Sequence, residues 1–311
     1  MPENEFSRRV GLVGLGKMGH PMAARLRGAG VALAVFDARA DVARAFVAQH
    51  GGTAAASLAE LARWSDVVIT MLPDSAAVQQ VLLGAGEPGD DRVLEALPDG
   101  AVVIDMGSSA PTATQALGRT LAAHGVAMLD APVSGGVQRA AAGTLAIMIG
   151  GAPAVVDACR PLLRILGRQI FVTGALGSAH AMKALNNLVS AAGLLAAAEA
   201  VLIGRSFGLD PTLMIDVLNA STGRNNATEN KFKQFILSGD FSSGFALSLM
   251  VKDLKTAVDL GRETATNAPF SAACRDVWVQ AQAALAPDAD HTAVFRWLES
   301  RQPVQPAPEE D

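Results

Sequence analysis

The 311-residue chain has no tyrosine and only two cysteines. Without tyrosine, it cannot belong to the dehydrogenases that use a tyrosine hydroxyl as the proton donor. Two cysteines, Cys159 and Cys274, cannot build a disulfide framework, so we expect a reducing, cytoplasmic compartment. The five histidines are scattered, and Cys and His residues do not cluster in the sequence. We therefore expect no metal site.

Basic runs are also missing, and we expect no secretory leader. The net charge is −5 at pH 7, which argues against nucleic acid as a partner. The N-terminal residues MPENEFSRR include acids and have no apolar centre, unlike a secretory signal. The most apolar stretch, residues 184–203, contains Asn186, Asn187, Ser190 and Glu199, which favours a buried helix between domains over a membrane span. We expect neither a nucleic-acid nor a membrane partner.

A glycine-rich segment, residues 10–37, carries the strongest functional signal. Gly14, Gly16 and Gly19 have the GxGxxG spacing, after an apolar run and before a helix-like run. In a dinucleotide-binding turn, the first glycine permits the turn, the second lets the backbone approach the pyrophosphate, and the third lets helix and strand pack closely. The following helix N-terminus offers N–H groups to the phosphates. The alternatives are a structural turn and a Rossmann fold for another adenosine cofactor.

The acidic residue that ends this segment bears on the choice of dinucleotide. Asp37 lies 18 residues after Gly19, at the end of a second β-like run. Its carboxylate can accept hydrogen bonds from both hydroxyls of an adenine ribose, and it would repel a 2′-phosphate. The segment therefore favours NAD over NADP, although Arg39 nearby would partly offset the repulsion.

Apolar β-like runs alternate with helical stretches as far as residue 173. The predicted strands are 9–15, 31–37, 66–72, 101–106, 125–130, 144–150 and 168–173. This alternation is typical of a doubly wound, mostly parallel sheet, whereas the pattern after residue 175 is helical. We therefore predict an α/β Rossmann domain over residues 1–173, an all-α C-terminal domain over 174–302, and a disordered tail over 303–311, which is Pro-rich and acidic.

Three further stretches carry polar groups suited to chemistry, and the first is residues 130–145. Ser134, Gly135 and Gly136 follow a predicted strand and offer a hydroxyl with successive backbone N–H groups. Such a group suits a carboxylate, as in an anion nest. A plain glycine turn is the alternative.

The other two stretches carry lysines. Lys183 and Asn187 are four residues apart, so they share one face of a helix, although such a lysine is also compatible with a surface position. His180 stands beside them and is the one histidine that we regard as a candidate proton carrier. Further on, Lys252 and Asp253 are consistent with an ordinary exposed pair.

With the glycine-rich turn, these stretches resemble the β-hydroxyacid dehydrogenase family, typified by 3-hydroxyisobutyrate dehydrogenase and tartronate semialdehyde reductase. The resemblance extends from residue 9 to about residue 295. Four family motifs occur in order: GLGxMGxxMAxNL as GLGKMGHPMAARL, DAPVSGGxxxAxxGTL at 130–145, GxGxxxKxxNN at 177–187, and KDLxxA at 252–257. Ala179 replaces the second glycine of the third motif, which adds a methyl group and removes no catalytic group.

The resemblance implies a role for each matching residue. Lys183 matches the catalytic lysine, and Asn187 matches its substrate-orienting partner. Ser134, Gly135 and Gly136, with Asn187, match the substrate-binding residues. Ser108 stands where the family has a threonine. The cofactor-binding residues implied are Gly14, Leu15, Gly16, Lys17, Met18, Gly19, Asp37, Met71, Leu72, Pro73, Ser108, Phe245 and Lys252. The family also implies a homodimer or homotetramer.

The activity implied is NAD-dependent interconversion of a small β-hydroxy acid and its semialdehyde, with NADP as an alternative cofactor. Lys183 would accept the hydroxyl proton in oxidation and return it in reduction. Imine reductases and non-enzymatic cofactor-binding modules share the fold, but they usually lack the lysine. 6-Phosphogluconate dehydrogenases have an acid where this chain has Ser190. The substrate stays open, and residues 221–232, including Arg224, Asn225 and Asn226, are either the selectivity segment or a water-facing connection.

Overall fold

The computed structural model describes residues 7–85 and 91–303 of the chain. The chain divides into two compact units, Met1–Lys183 and Ala184–Asp311. The domain boundary predicted at residue 174 stays a prediction. Of the predicted tail, residues 304–311 lie outside the described ranges, as do residues 1–6 of the N-terminal segment.

A mostly parallel sheet is the centre of the first unit. Its strands are β1 Val10–Val13, β2 Leu33–Phe36, β3 Thr53–Ala54, β4 Val67–Thr70, β5 Val102–Asp105, β6 Ala127–Asp130, β7 Val133–Ser134, β8 Leu145–Gly150 and β9 Gly167–Gly174. Their order is β3-β2-β1-β4-β5-β6-β8-β7, with β9 paired to β8. Strand β8 is antiparallel to β6 and β7, and the remaining pairs are parallel. The Rossmann-type fold predicted for this unit is confirmed.

Helices cover both faces of the sheet, because its central strands are apolar on both sides. In β4, Val67 and Ile69 pack in one hydrophobic cluster, and Val68 packs in the other. The first cluster includes side chains of the helices that follow β1, β2 and β8, and the second includes those of the helices that follow β3, β4 and β5. The helices of this unit are α1 Gly19–Gly28, α2 Ala40–His50, α3 Leu58–Trp64, α4 Ser75–Leu83, α5 Pro111–Ala122, α6 Gly136–Ala142, α7 Pro153–Leu166 and a 3-10 turn at Leu94–Ala96.

The second unit is helical, as predicted for the C-terminal domain. Its elements are α8 Ser178–Ser206 (which begins in the first unit), α9 Pro211–Ala220, α10 Asn226–Asn230, a π-helix at Phe232–Ile236, α11 Leu247–Glu263, α12 Pro269–Ala284, a 3-10 turn at His291–Ala293 and α13 Val294–Ser300. Buried Trp278, Phe232 and Leu254 belong to its large hydrophobic cluster. Between residues 184 and 303 the structure has no strand, only one isolated bridge between Ala246 and Asp290.

Helix α8 also explains the most apolar stretch of the sequence. By length and composition it is the one helix of the described residues that could cross a membrane. Half of its most apolar window is buried inside the protein, as in the core helix of a globular protein. Burial therefore accounts for about half of the apolar stretch.

Candidate active site

The glycine-rich turn between β1 and α1 is tight inside and open outside. Gly14 has φ +99°, and a Cβ atom there would lie 2.5 Å from the carbonyl oxygen of Met71. A Cβ atom on Gly19 would lie 1.8 Å from the carbonyl oxygen of Gly14. At Gly16, by contrast, no atom lies within 4 Å of such a Cβ atom. This is the arrangement that a pyrophosphate requires, because it must approach the backbone where no side chain stands.

Asp37, which follows β2, is hydrogen-bonded to the same turn. One of its carboxylate oxygens accepts a bond from the Leu15 N–H at 2.8 Å, and the other accepts one from the Arg39 N–H at 3.0 Å. The Arg39 guanidinium Nε lies 3.8 Å from the second oxygen, and its side chain is 72% exposed. Each carboxylate oxygen has a second lone pair, so Asp37 can fix the turn and still accept hydrogen bonds from a ribose.

The carboxyl ends of neighbouring strands bring more of the predicted cofactor residues to this edge. Strands β1, β4 and β5 are adjacent and parallel, so the segments after Val13, Thr70 and Asp105 emerge side by side. The Leu72 carbonyl oxygen lies 2.7 Å from the position of a Cβ atom on Gly107. The order of these strands reverses between β1 and β4, which is where open α/β sheets bind ligands. A dinucleotide fits this edge.

Ser108 follows this edge, but another serine makes the buried contact. The Ser109 hydroxyl donates a 2.6 Å hydrogen bond to Asp105 Oδ2 and is buried, whereas Ser108 is half-buried. Asp105 Oδ1 accepts bonds from the Thr70 hydroxyl and the Gly107 N–H. Asp105 therefore fixes the course of the segment that carries Ser108, and the role of Ser108 itself stays a prediction.

The predicted carboxylate cradle follows β6. Ser134 ends the short strand β7, and Gly135 and Gly136 both have positive φ, +133° and +69°, at the start of α6. Asp130, the last residue of β6, is fully buried, and its carboxylate reaches helix α8. Its two oxygens accept bonds from the Gly177 and His180 N–H groups, each at 2.8 Å. The strand that leads to the cradle is therefore bonded to the first turn of the helix that carries Lys183.

Lys183 and Asn187 lie one helical turn apart on α8. Lys183 is half-buried and Asn187 is buried. The Asn187 amide nitrogen donates a 2.5 Å hydrogen bond to the Asp253 carboxylate, and Lys252 Nζ lies 3.2 Å from the same carboxylate. Because Asp253 is only 2% exposed, the interpretation of Lys252 and Asp253 as an ordinary exposed pair is wrong for Asp253.

Phe245, a predicted cofactor residue, is held by Asp290. One Asp290 oxygen accepts bonds from the N–H groups of Gly244 and Phe245. Burial alone would raise the pKa of Asp290, but hydrogen bonds from His291 and Thr292 outweigh it and hold this pKa well below its usual range. Asp290 therefore remains an ionised carboxylate at neutral pH.

The polar segment 221–232 divides into structural and exposed residues. Asn225 caps α10 by accepting bonds from the N–H groups of Ala227 and Thr228, and its amide donates to the Gly193 carbonyl. Arg224 is exposed and lies 3.5 Å from Glu229. Lys231 is half-buried, with Nζ 5.6 Å from the Phe235 ring; burial lowers its pKa, and Asp290 acts in the opposite direction.

Sequence reasoning missed three buried polar residues beside the predicted site, Asp105, Asp130 and Asp253. Asp130 and Asp253 lie within quoted motifs and Asp105 lies in a predicted strand, yet none was singled out as a site residue. For Asp105 and Asp130, an acid at the end of an apolar strand was the available signal, because a buried carboxylate needs several donors. The donors to Asp130 and Asp253 come from residues 47 to 66 positions away, so the sequence does not identify them.

Comparisons with known proteins cover both units. Residues 9–174 match the NAD binding domain of 6-phosphogluconate dehydrogenase, and residues 177–298 match the NAD-binding family of NADP-dependent 3-hydroxyisobutyrate dehydrogenase. The chain is 38% identical over 274 residues to 2-(hydroxymethyl)glutarate dehydrogenase of Eubacterium barkeri, covering 88% of this chain and 89% of that protein. It is 36% identical to NAD-dependent L-serine dehydrogenase of Pseudomonas aeruginosa, covering 85% and 88%. A solved structure of Mycobacterium tuberculosis 3-hydroxyisobutyrate dehydrogenase with L-serine has a TM-score of 0.85 at 34% identity, covering 94% and 99%.

Proposed function

The chain belongs to the 3-hydroxyisobutyrate dehydrogenase family of β-hydroxyacid dehydrogenases, and on that premise we propose how its residues carry the reaction. It is an NAD(P)-dependent oxidoreductase that interconverts hydroxy acids and semialdehydes. We assign the proton transfer to Lys183 and the cofactor preference to Asp37. The substrate that we propose is a small carboxylic acid with a β-hydroxyl group.

One observation carries the assignment of Lys183. Asp130 leads into the Ser134–Gly136 cradle, and its carboxylate holds the N–H group of His180, three residues before Lys183 on α8. The lysine is therefore fixed within one helical turn of a bond to the cradle strand. This supports a substrate carboxylate on the cradle and an amine that reaches the substrate hydroxyl.

Each residue of the proposed site has a separate role in the reaction. In oxidation the neutral Lys183 amine accepts the hydroxyl proton, and in reduction its ammonium form donates that proton to the carbonyl oxygen. The Ser134 hydroxyl and the N–H groups of Gly135 and Gly136 hold the carboxylate. The Asn187 amide nitrogen has a second hydrogen besides the one directed to Asp253, and this hydrogen orients the substrate. A dinucleotide held by the glycine-rich turn and Asp37 would supply the hydride acceptor for oxidation as NAD and the hydride donor for reduction as NADH.

Asp37 favours NAD in this proposal. Its carboxylate already bonds the Leu15 N–H, so it lies where the adenine ribose of a dinucleotide on this turn would end. A 2′-phosphate there would meet a negative charge, and the exposed Arg39 guanidinium at 3.8 Å would offset only part of it. NADP is therefore the weaker cofactor.

We also propose that the second unit pairs with another copy of the chain in a homodimer or homotetramer. Large apolar side chains are exposed on α8, just after it and on α9: Ile203 (71%), Phe207 (84%), Leu213 (60%) and Val217 (55%). Exposed apolar side chains of this size are typical of a protein interface. Analytical ultracentrifugation of Phe207→Ser should show a smaller species than the wild-type protein. A species of unchanged size would refute the proposal that this surface joins two copies of the chain.

A cytoplasmic location is the remaining proposal. Both cysteines are free and buried, and burial raises the pKa of the Cys159 and Cys274 thiols to about 11. They stay protonated at neutral pH, as suits a reducing compartment.

The activity is tested by NADH oxidation with a panel of small semialdehydes, repeated with NADPH. The panel should contain the aldehydes formed from 3-hydroxyisobutyrate, L-serine and 2-(hydroxymethyl)glutarate, the compounds that name its relatives. We expect turnover with at least one aldehyde acid, faster with NADH than with NADPH. Tight NADH binding without turnover on the whole panel would refute the proposal and favour an imine substrate or a binding module.

A further inference from the structure

His180 is fully buried, and its imidazole lies between segments that the proposed reaction needs. Its side chain has no exposed surface, and the carboxylates of Asp105 and Asp130 flank it at 3.7 Å from Nε2 and 3.9 Å from Nδ1. Both carboxylates are buried as well. Among the described residues, these are the charged groups that face the ring. A buried polar ring in such a position is costly unless its nitrogens have partners.

The two ring nitrogens have different surroundings. Nδ1 lies 2.8 Å from the Thr114 hydroxyl, which itself donates a 3.1 Å hydrogen bond to the Ala110 carbonyl. Because a hydroxyl has one proton, Thr114 accepts from Nδ1, so Nδ1 carries a hydrogen. Nε2 is buried without a hydrogen-bond partner, and its nearest acidic oxygen is Asp105 Oδ2 at 3.7 Å. The ring is therefore fixed through one nitrogen and directed at a carboxylate through the other.

Three segments of the first unit meet at this ring. Asp105 bonds Gly107 and Ser109 and so fixes the segment that carries Ser108. Asp130 ends the strand that leads to the carboxylate cradle, and it bonds the backbone of His180 itself. His180 is three residues before Lys183 on the same helix, so its side chain limits the rotation and translation of that turn.

We propose that His180 is a positioning residue that holds Lys183 in register with the substrate cradle and the segment around Ser108. The inference rests on the proposed function, because it assigns Lys183 to the proton transfer. His180 does not exchange a proton with the substrate in this account; it acts through Lys183. Its loss should therefore slow the proton transfer and leave cofactor binding unchanged.

A double-mutant cycle tests whether His180 acts through Lys183. His180→Ala should lower kcat about 10- to 100-fold, with the NADH dissociation constant within twofold of wild type. In a Lys183→Ala background the same change should have almost no further effect, because the residue it positions is gone. The solvent deuterium isotope effect on kcat should rise in His180→Ala, whereas a loss of folded protein would leave it unchanged. Equal effects of His180→Ala in both backgrounds would overturn the proposal.

Conservative variants keep the proposal testable if His180→Ala does not fold. His180→Asn retains a hydrogen-bonding group near the Nδ1 position and should recover most of kcat. Thr114→Val removes only the hydroxyl that accepts from Nδ1 and should lower kcat in the same direction as His180→Ala. His124→Ala is the control, because His124 is exposed. Wild-type kcat in folded Thr114→Val and His180→Ala proteins would overturn the proposal.

A measurement that needs no turnover separates this inference from the proposed function. Acetic anhydride labelling, followed by mass spectrometry, reports the relative reactivity of Lys183 and the exposed Lys255 in each variant. We expect the reactivity of Lys183 to change at least threefold in His180→Ala, relative to Lys255 as the internal reference. An unchanged ratio would overturn the positioning role. Absence of turnover in the wild-type protein, with a changed ratio, would instead refute only the proposed function.

Discussion

The two units fix their predicted site residues by different means. In the first unit the backbone positions most of these residues. Gly14 and Gly19 approach so closely that a side chain on Gly19 would not fit, and neighbouring parallel strands end at one edge of the sheet. In the second unit, Asn187 depends on the carboxylate of Asp253, 66 residues away. A backbone turn can be predicted from the local spacing of glycines, whereas a side-chain pair between two helices can be identified only from the tertiary fold. Substitutions should therefore affect the two units in different ways.

The largest effect is expected at the glycine turn. Gly19→Ala places a Cβ atom 1.8 Å from the Gly14 carbonyl oxygen, so the turn must open. Overpacking of this kind costs about 1–3 kcal/mol or more of unfolding free energy, and dinucleotide binding should be lost with the turn. Urea unfolding and NADH fluorescence titration measure the two effects.

Gly16→Ala is the matched control for the turn. Its Cβ atom meets no protein atom, so the stability of the protein should stay within about 0.5 kcal/mol of wild type. The methyl group occupies the side that the pyrophosphate approaches, so NADH affinity should still fall, by roughly tenfold. Equal stability losses in the two variants would show that the turn does not have the tight and open sides described above.

In the second unit, Asn187→Ala should reduce both stability and turnover. The change removes the 2.5 Å hydrogen bond to the buried Asp253 carboxylate, which leaves a buried acceptor without this donor. That costs about 1–3 kcal/mol of unfolding free energy. Asn186→Ala, next to it, removes only a neutral 3.1 Å bond to Asn187 and should cost less. The same unfolding midpoint in the two variants would show that the hydrogen bond between Asn187 and Asp253 does not stabilise the fold.

Asp37→Asn tests whether charge or turn geometry sets the cofactor preference. Asparagine retains an oxygen that can accept from the Leu15 N–H, but the negative charge is lost. The ratio of kcat/KM for NADPH over NADH should rise about tenfold, which corresponds to roughly 1.4 kcal/mol. A ratio that stays at the wild-type value would show that the carboxylate does not act against the 2′-phosphate.

The smallest effect concerns acid stability in the second unit. The lowered pKa of Asp290 means that its ionised form stabilises the fold above the ordinary carboxyl range, and this contribution is lost as the pH falls below about 4. Asp290→Asn should therefore be less stable than wild type at pH 7, with a difference that narrows toward pH 3. The exposed Asp288→Asn is the control. A gap that is constant with pH would contradict the account.

Much of the first unit could be predicted from the sequence, because the hydrophobic periodicity and the glycine spacing are properties of short segments. The strands that carry the site were predicted near their observed positions, since Val67–Thr70 and Val102–Asp105 are apolar runs between helical stretches. Strands β3 and β7 were missed because two residues are too few to show alternation. Asp130 was missed because its donors, the N–H groups of Gly177 and His180, come from much later in the chain. Asp105 was missed because its longest-range donor, the Thr70 hydroxyl, belongs to an earlier strand.

The second unit was harder to interpret at the level of single residues. Its helical character was clear, yet the burial of Asp253 contradicts what a Lys-Asp neighbour pair predicts on its own. Asn225 caps α10. This role depends on where the helix begins, and the sequence does not fix helix boundaries to the residue. Helical periodicity indicates which face is buried, but it does not indicate which polar groups meet there.

The central claim is that Lys183 transfers the proton, and a single-turnover measurement tests it most directly. NADH-loaded wild-type and Lys183→Ala proteins are mixed with the best aldehyde acid, and the loss of absorbance at 340 nm is followed. We predict that Lys183→Ala is slower by on the order of 10²–10⁴-fold, with NADH affinity unchanged, because a positioned acid or base contributes that much. A near-wild-type rate in Lys183→Ala would contradict the account.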